Sequence, residues 1–328
     1  MRIDRRLGWC VLFLGFGAAM TARAAEAPAT QPAVHQPAVH QPAKAEDFLR
    51  YVDRGDSGGR LETADVAFRN ADGVTVHLVA AVHIGEHDYF DGLNQSFKLR
   101  DAVLYEMVKA KDQPLPEPGG ENQSHSPVSQ FQRYLKDALN LEFQLDCIDY
   151  TQPNFIHADL DAETFKQMQD ERGESMTMLM LKQMWEQMSK PQADANEADA
   201  EKQLEDLVRI FTRPDSERRM KAMLAKQLVS MEGDGGFDVM NGTVLLTERN
   251  KAAMKTLDAT LKNGKKDIAI FYGAAHMPDL CKRLTVMGFK PLSTEWRMAW
   301  DLTIRNDEPS AVENILIEMI RGMRELDK

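Results

Sequence analysis

Cysteine is scarce in this sequence, and two kinds of site that depend on short motifs have no support in it. Three cysteines occur in 328 residues, and none are spaced like the paired cysteines of a zinc ribbon. No glycine-rich loop of the kind that cradles phosphates is present either. The sequence therefore favours neither a zinc-ribbon protein nor a nucleotide-dependent enzyme.

Long hydrophobic runs are also few, and the most prominent one lies at the N-terminus. Three arginines within the first six residues precede an apolar run at residues 7–19, and Ala22-Arg23-Ala24 follows with a small-x-small pattern. That run is shorter than the about 20 residues that a transmembrane helix needs. The pattern is typical of a cleavable signal peptide. We expect residues 1–24 to be removed during export, which leaves a periplasmic or secreted protein.

Basic residues are outnumbered by acidic ones, and the formal net charge is −11. Signal cleavage would remove four arginines and one aspartate, so the mature chain would carry −14. Such a chain has no bulk attraction for nucleic acid or anionic lipid. We therefore expect no nucleic-acid partner and, after cleavage, no integral membrane segment. Cys147 and Cys281 would remain, and the sequence leaves open whether they form a disulfide.

Three regions follow the predicted signal peptide. Residues 25–45 repeat the unit Gln-Pro-Ala-Val-His and offer little apolar surface, which predicts an extended linker. One α/β domain is expected over residues 46–305. Residues 306–328 have the periodicity of an amphipathic C-terminal helix.

A helical insertion is predicted within the domain at about residues 162–240. Its methionines recur at helical spacing from Met176 to Met188. This stripe is consistent with a helix packed in the core, with an adaptable groove for apolar peptides, or with Cu(I) binding through Met176 and Met178. The sequence does not decide among the three.

Two strand–helix–strand units indicate the fold class. The first consists of a strand at 74–82, a helix at about 86–100 and a strand at 102–105. The second consists of a strand at 267–272, a helix at 278–287 stopped by Gly288, and strands at 289–292 and 297–302. Such units have parallel strands. The predicted fold is α/β, with a central, mainly parallel sheet made of two related β-α-β halves and a helical insertion.

Three polar side chains follow predicted strands at corresponding positions. His83 follows the first strand, Glu106 the second, and His276 the first strand of the second unit. Ligands of open α/β sheets bind where the carboxyl ends of the strands meet. A carboxylate that closes an apolar run also needs a partner. We therefore expect these three residues to converge on one site.

Two imidazoles and a carboxylate are a common ligand set for a divalent metal ion that activates water. Glu106 would be either a ligand or the general base, and the sequence leaves both open. A rival interpretation is the H-x-x-E-H zinc motif, which His83, Glu86 and His87 match. That motif requires one continuous helix, and the strand pattern before His83 disfavours it.

Further polar residues are candidates for the same site. Arg249 and Asn250 begin a predicted helix, and an arginine there could hold a substrate carboxylate or stabilise an oxyanion. Tyr150, His157 and Asp159 form a polar cluster in a predicted loop near the site. His77, within the first strand, is expected to be a hydrogen-bonded strand residue.

The order and spacing of these residues resemble the TraB family, which includes GumN-like bacterial proteins, PrgY and the TIKI proteases. The family has two G-x-x-H motifs, a glutamate after the strand that follows the first motif, and an E-R-N-like helix before the second. Here Gly273-Ala-Ala-His276 matches the second motif, Glu106 the glutamate, and Glu248-Arg249-Asn250 the helix. Ala80-Ala-Val-His83 departs from the first motif, with alanine in place of glycine.

The resemblance implies a fold similar to erythromycin esterase and the haem-binding protein ChaN. TIKI proteases are regarded as divalent-metal enzymes, which implies a metal (Mn, Co or Zn) at His83, Glu106 and His276, with Arg249 and Asn250 assisting catalysis. The expectation is a metal-dependent hydrolase that acts on a peptide or protein. The alternative is a non-catalytic binding protein for a peptide or a haem-like ligand, with Tyr105 and Tyr272 among the candidate haem ligands.

Overall fold

The computed structural model describes residues 47–119, 136, 139–174, 216–233 and 242–304. The predicted signal peptide, linker, methionine stripe and C-terminal helix lie outside the described residues, and those predictions stay untested. Of the predicted insertion, the structure describes one helix near each end. Among the described helices, none is both long and apolar enough to cross a bilayer.

Strands and helices alternate along most of the described chain. The strands are β1 (Leu49–Asp53), β2 (Gly59–Arg69), β3 (Thr75–Ala81), β4 (Ile84–Gly85), β5 (Ala102–Tyr105), β6 (Glu142–Phe143), β7 (Phe155–His157), β8 (Asp267–Gly273) and β9 (Lys290–Asp301). The α-helices are α1 (His87–Phe97), α2 (Gln144–Cys147), α3 (Ala162–Arg172), α4 (Ser216–Gly233), α5 (Arg249–Lys262) and α6 (Met277–Val286).

A seven-stranded sheet organises the described residues, in the order β1-β2-β3-β8-β5-β7, with β9 also paired to β2. β8 pairs in parallel with both β3 and β5, and β7 pairs in parallel with β5. β2 is antiparallel to β1, β3 and β9, so it alone runs against the other six. The predicted α/β class with a mainly parallel sheet is confirmed.

The interior parallel strands β5 and β8 form because their sequences are apolar on both faces. Every residue of β5 is buried, and β8 is buried from Ile268 to Tyr272. Strands of this kind must be covered on both sides. Both α1 and α6 have residues buried in the core. In one contact of α1 with β8, the ring centroids of Phe97 and Phe271 lie 4.8 Å apart.

Both predicted β-α-β units are present, and they interlock. β8, from the second unit, lies between β3 and β5 of the first. Ala81 at the end of β3 is level with Gly273 at the end of β8, and Tyr105 at the end of β5 is level with Phe271. The carboxyl ends of three adjacent strands therefore meet at one edge of the sheet.

Three details of the strand prediction were wrong. The segment that carries His157 was predicted as a loop, but Phe155–His157 form β7, which pairs in parallel with β5. The two short strands predicted after Gly288 are one strand, β9, which pairs with β2 through two register shifts. The β1–β2 hairpin was not predicted at all. β2 buries Glu62, Thr63 and Asp65, so its sequence lacks the apolar pattern of an interior strand.

The helix boundaries follow local signals. Pro278 lies in the first turn of α6, and Gly288 follows its end with φ +86°, a left-handed conformation that glycine adopts without strain. α1 begins at His87 and not at Glu86, which has the extended backbone of an N-cap residue. The H-x-x-E-H interpretation is therefore wrong, because His83 precedes β4 and only His87 is helical.

Candidate functional site

The interlocked strand ends bring His83, Glu106 and His276 together around Gly273. Glu106 directly follows β5, His83 follows β3 by two residues, and His276 ends the short 3-10 turn after β8. A Cβ atom at Gly273 would lie 3.3 Å from Glu106 Oε2, 3.9 Å from His276 Cδ2 and 4.0 Å from His83 Nε2. Gly273, the glycine of the second G-x-x-H motif, has no side chain. It therefore leaves the space in which the three groups meet.

Glu106 is a buried carboxylate with both oxygens occupied. Oε1 accepts a hydrogen bond from Arg249 Nη2 at 2.7 Å, and Oε2 accepts one from the Gly273 backbone N–H at 2.6 Å. Burial acts to raise its pKa, but Arg249, His276, His83 and the Gly273 N–H outweigh burial and hold the pKa of Glu106 well below its usual range. Glu106 is therefore ionised over the whole physiological pH range.

Arg249 lies between two carboxylates. Besides Glu106, it contacts Asp159 through Nε at 3.0 Å and Nη2 at 2.6 Å, and the Asp159 side chain is completely buried. Burial acts to lower the pKa of Arg249, and the two carboxylates raise it above its ordinary value. The predicted catalytic arginine is at the site, and its described hydrogen bonds all go to these two acids.

His276 is fixed by Asn250. Its Nδ1 is 2.7 Å from Asn250 Oδ1, while Asn250 Nδ2 donates to Asp279 Oδ2 at 2.7 Å and lies 3.3 Å from the His276 carbonyl oxygen. Burial lowers the pKa of His276, although Glu106 opposes the shift, so the ring is neutral at pH 7. With the proton on Nδ1, the lone pair of Nε2 faces Glu106 Oε1 at 3.6 Å.

A lone pair and a carboxylate oxygen that face one another are arranged to take up a cation. Two donors bound to one ion at about 2.0–2.2 Å lie roughly 3.4 Å apart in a tetrahedral site, close to the spacing of this pair. In the described part of the chain, however, no three His, Cys, Asp or Glu side chains are already grouped to hold a metal ion. A third ligand would have to come from His83, whose exposed side chain is the least constrained of the three.

His83 is held by its backbone. Its carbonyl oxygen accepts a hydrogen bond from the Gln144 backbone N–H at 2.8 Å, beside the short β4–β6 ladder. Gln144 in turn donates through Nε2 to the Tyr150 hydroxyl at 2.9 Å. The predicted cluster of Tyr150, His157 and Asp159 is thus divided: Tyr150 supports the segment that carries His83, and Asp159 pairs with Arg249.

The remaining members of the predicted set have structural contacts. His157 Nε2 lies 2.6 Å from the Met107 carbonyl oxygen. His77 Nδ1 lies 2.9 Å from Asp65 Oδ1, as expected for a hydrogen-bonded strand histidine. The Tyr272 hydroxyl is buried and donates to the Ala158 carbonyl oxygen at 2.6 Å. Cys147 and Cys281 do not form a disulfide.

Sequence reasoning missed two features. Asp279, three residues after His276, holds Asn250 and was not a candidate; its position in the first turn after the motif histidine was the available signal. Gly55-Asp-Ser-Gly-Gly59 matches the G-x-S-x-G string of serine hydrolases. It lies in the turn between β1 and β2 and not at the strand-to-helix turn that the nucleophile requires.

No protein-family model, no curated protein and no solved structure matches this chain. The resemblance to the TraB family therefore rests on the motif residues themselves and stays a prediction.

Proposed function

We propose that this chain is an exported metal-dependent hydrolase that cleaves peptide bonds, with His83, Glu106 and His276 as its metal ligands. The observation that carries the proposal is the 3.6 Å distance between His276 Nε2 and Glu106 Oε1, with Asn250 Oδ1 placed to receive the Nδ1 proton so that the lone pair of Nε2 is directed at the carboxylate. Without a cation between them, two acceptor atoms would face one another at this distance.

The ligand types suit a divalent ion of the Mn, Co or Zn kind. When bound, such an ion supplies acidity to a coordinated water and polarises the scissile carbonyl. His83 lies at the exposed side of the site, where a substrate would approach. Glu106 and His276 lie on the buried side and set the position of the reacting groups.

The geometry favours Glu106 as a ligand over Glu106 as the general base. A base works best when its pKa lies near the operating pH. Arg249 and the Gly273 N–H hold the pKa of Glu106 far below neutrality, so this carboxylate has little affinity for a proton. The same two groups keep it ionised, as a carboxylate ligand must be.

The contact of Arg249 with Glu106 indicates that Arg249 holds this carboxylate and does not bind substrate directly. Its guanidinium is shared between Glu106 and Asp159, so the three groups together carry one net negative charge. That charge remains at the site to offset half the charge of a divalent cation. We propose that Arg249 sets the orientation and charge of the glutamate ligand.

The test is metal content with a matched histidine control. The exported protein is purified without chelators, and bound metals are measured for wild type, His83→Ala, His276→Ala and His87→Ala. His87 is exposed at the start of α1, and its Nε2 lies 3.4 Å from Asp91 Oδ2. We expect near-stoichiometric metal in wild type and His87→Ala, and its loss in the other two, with peptide hydrolysis following the metal.

The proposal fails if wild-type protein takes up none of these ions after reloading, or if both ligand variants keep their metal. In that case the binding-protein alternative is examined by haem titration. Tyr272 would have to give up its buried bond to Ala158 before it could bind iron.

A further inference from the structure

Asp279 lies behind the site, in the first turn of α6. Its Oδ2 accepts a hydrogen bond from Asn250 Nδ2 at 2.7 Å and another from Arg283 Nε at 2.7 Å. Asn250 is fully buried, and its amide connects Asp279 to the ring of His276. A chain of hydrogen bonds therefore runs from Arg283 through Asp279 and Asn250 to His276.

The orientation of the Asn250 amide decides which nitrogen of His276 carries the proton. Asp279 Oδ2 and the His276 carbonyl oxygen can only accept hydrogen bonds, so the NH₂ group of Asn250 must face them. Asn250 Oδ1 then faces His276 Nδ1 and must receive its proton. The other ring nitrogen, Nε2, keeps its lone pair toward Glu106.

The opposite arrangement would also be satisfied locally. If the Asn250 amide turned over, Nδ2 would donate to Nδ1, the proton would move to Nε2, and Nε2–H would point toward Glu106 Oε1, 3.6 Å away. That form has no lone pair at Nε2 and cannot bind a metal there. The Asp279 carboxylate prevents it, because the turned amide would direct its oxygen at a carboxylate oxygen.

We propose that Asp279 is a positioning residue that selects the Nδ1–H tautomer of His276 through Asn250. The inference deepens the proposed function and rests on it for its catalytic meaning, since the selected tautomer is the one that presents Nε2 to a metal. Mutation of a residue that orients a metal-bound histidine typically lowers metal affinity or activity by about 10- to 100-fold.

The tautomer is read directly from the ring nitrogens of His276 by two-bond ¹H–¹⁵N correlation spectra of the metal-free protein at about pH 8. Wild type should show Nδ1–H. Asp279→Ala should show a large population of Nε2–H. Arg283→Ala is the matched control, because it removes the other partner of Asp279 and keeps the bond to Asn250, so it should retain Nδ1–H.

A second variant removes the acceptor while keeping its volume. In Asp279→Leu no carboxylate faces the Asn250 amide, so a large population of Nε2–H should again appear. Pure Nδ1–H in folded Asp279→Ala would overturn the inference. If Asp279→Ala fails to fold, Asp279→Leu decides, and pure Nδ1–H in that variant overturns the inference as well.

The two proposals fail separately. A tautomer change in Asp279→Ala without any metal binding by wild type would support the positioning role of Asp279 and reject the metal-dependent hydrolase. Metal binding by wild type that weakens about 10- to 100-fold in Asp279→Ala, with Arg283→Ala unaffected, would support both.

Discussion

Arg249 is the residue on which the charge balance of the site depends. Its side chain is 9% exposed, and it separates Glu106 from the fully buried Asp159. Removing one partner of a buried ion pair leaves an uncompensated charge, which is far more costly than losing an exposed pair. The site therefore couples stability and function through one side chain.

We predict that Arg249→Met lowers the free energy of unfolding by about 3–5 kcal/mol at pH 7, because two buried carboxylates lose their cation. Arg172→Met is the matched control, since Arg172 is 41% exposed and its pair with Glu248 should contribute at most about 1 kcal/mol. Urea unfolding of both variants beside wild type measures the difference. Equal effects would show that Arg249 is not the essential counter-ion.

The same prediction has a pH signature. In wild type the pKa of Glu106 is lowered by folding, so its stabilising contribution is complete above the unfolded value of about 4.3 and is lost as the pH falls. In Arg249→Met, burial without the arginine should raise the pKa of Glu106. That variant should therefore lose stability as the pH rises from 5 to 8.

The parts of the site that could be predicted from the sequence are the residues placed by the strand ends. Strand ends are visible in the sequence as polar residues after apolar runs, and this placed His83, Glu106 and His276 correctly at one edge. The bond from Asp279 to Asn250 could not be predicted, because it joins two helices whose relative placement is set by packing. The tautomer of His276 follows only from that bond.

At the scale of elements, some strands could be predicted from the sequence and others could not. β3, β5 and β8 were predicted because their residues are apolar on both faces. β2 was missed because it buries polar side chains, of which Glu62 and Asp65 form ion pairs with arginines from β1, from β9 and from the turn before β5. A strand whose buried groups are satisfied by distant charges has no local apolar signature.

The contact between α4 and β1 involves a half-buried acid. Glu232 accepts hydrogen bonds from the backbone N–H groups of Phe48 and Leu49 at 2.9 and 2.7 Å. Burial raises its pKa to about 7, with Asp47 acting in the same direction and the two N–H groups opposing. The carboxyl group thus takes up a proton more readily in the folded chain than in the unfolded one.

We predict that this contact weakens as the pH rises. A carboxyl group whose pKa is raised by folding stabilises the protein below its unfolded value of about 4.3, and that contribution is lost as the pH rises through about 7. Glu232→Gln cannot ionise and should remove up to about 3 kcal/mol of pH dependence between pH 5 and 8. Hydrogen exchange of the β1 amides at both pH values gives the measurement, with Glu217→Gln, an exposed position on α4, as the control.

If Glu232→Gln and Glu217→Gln showed the same pH dependence of hydrogen exchange in β1, this account of Glu232 would be contradicted. It would mean that the protection of β1 comes from its pairing with β2 alone.

At the scale of the whole molecule, one topological fact gathers the site. Because β8 is placed between β3 and β5, the ends of the two interlocked units face one another, and neither unit alone contains the full set of ligands. His83 and Glu106 come from one unit and His276 from the other. The site can therefore form only when the two ends of the domain, about 170 residues apart in sequence, have come together.

The predicted export of this molecule has a chemical consequence at its cysteines. Cys10 lies in the predicted signal peptide, while Cys147 and Cys281 lie in the folded domain without a disulfide. Burial, together with Glu142 and Asp146, raises the pKa of Cys147 to about 11, so almost none of it is the reactive thiolate at pH 7. Cys281 is buried in α6. We therefore expect both thiols to react slowly in the folded protein.

We therefore predict that the exported protein begins at Ala25 and carries two reduced cysteines. Alkylation in denaturant, followed by intact-mass measurement, should give a chain shortened by residues 1–24 with two added alkyl groups, whereas the uncleaved chain would carry three. Alkylation of the native protein should be slow at both positions, and faster at Cys147 than at Cys281, because Cys147 is the less buried of the two. A mature chain that takes up no alkyl group until it is reduced would show a disulfide, and α2 and α6 would then be arranged differently in the exported protein.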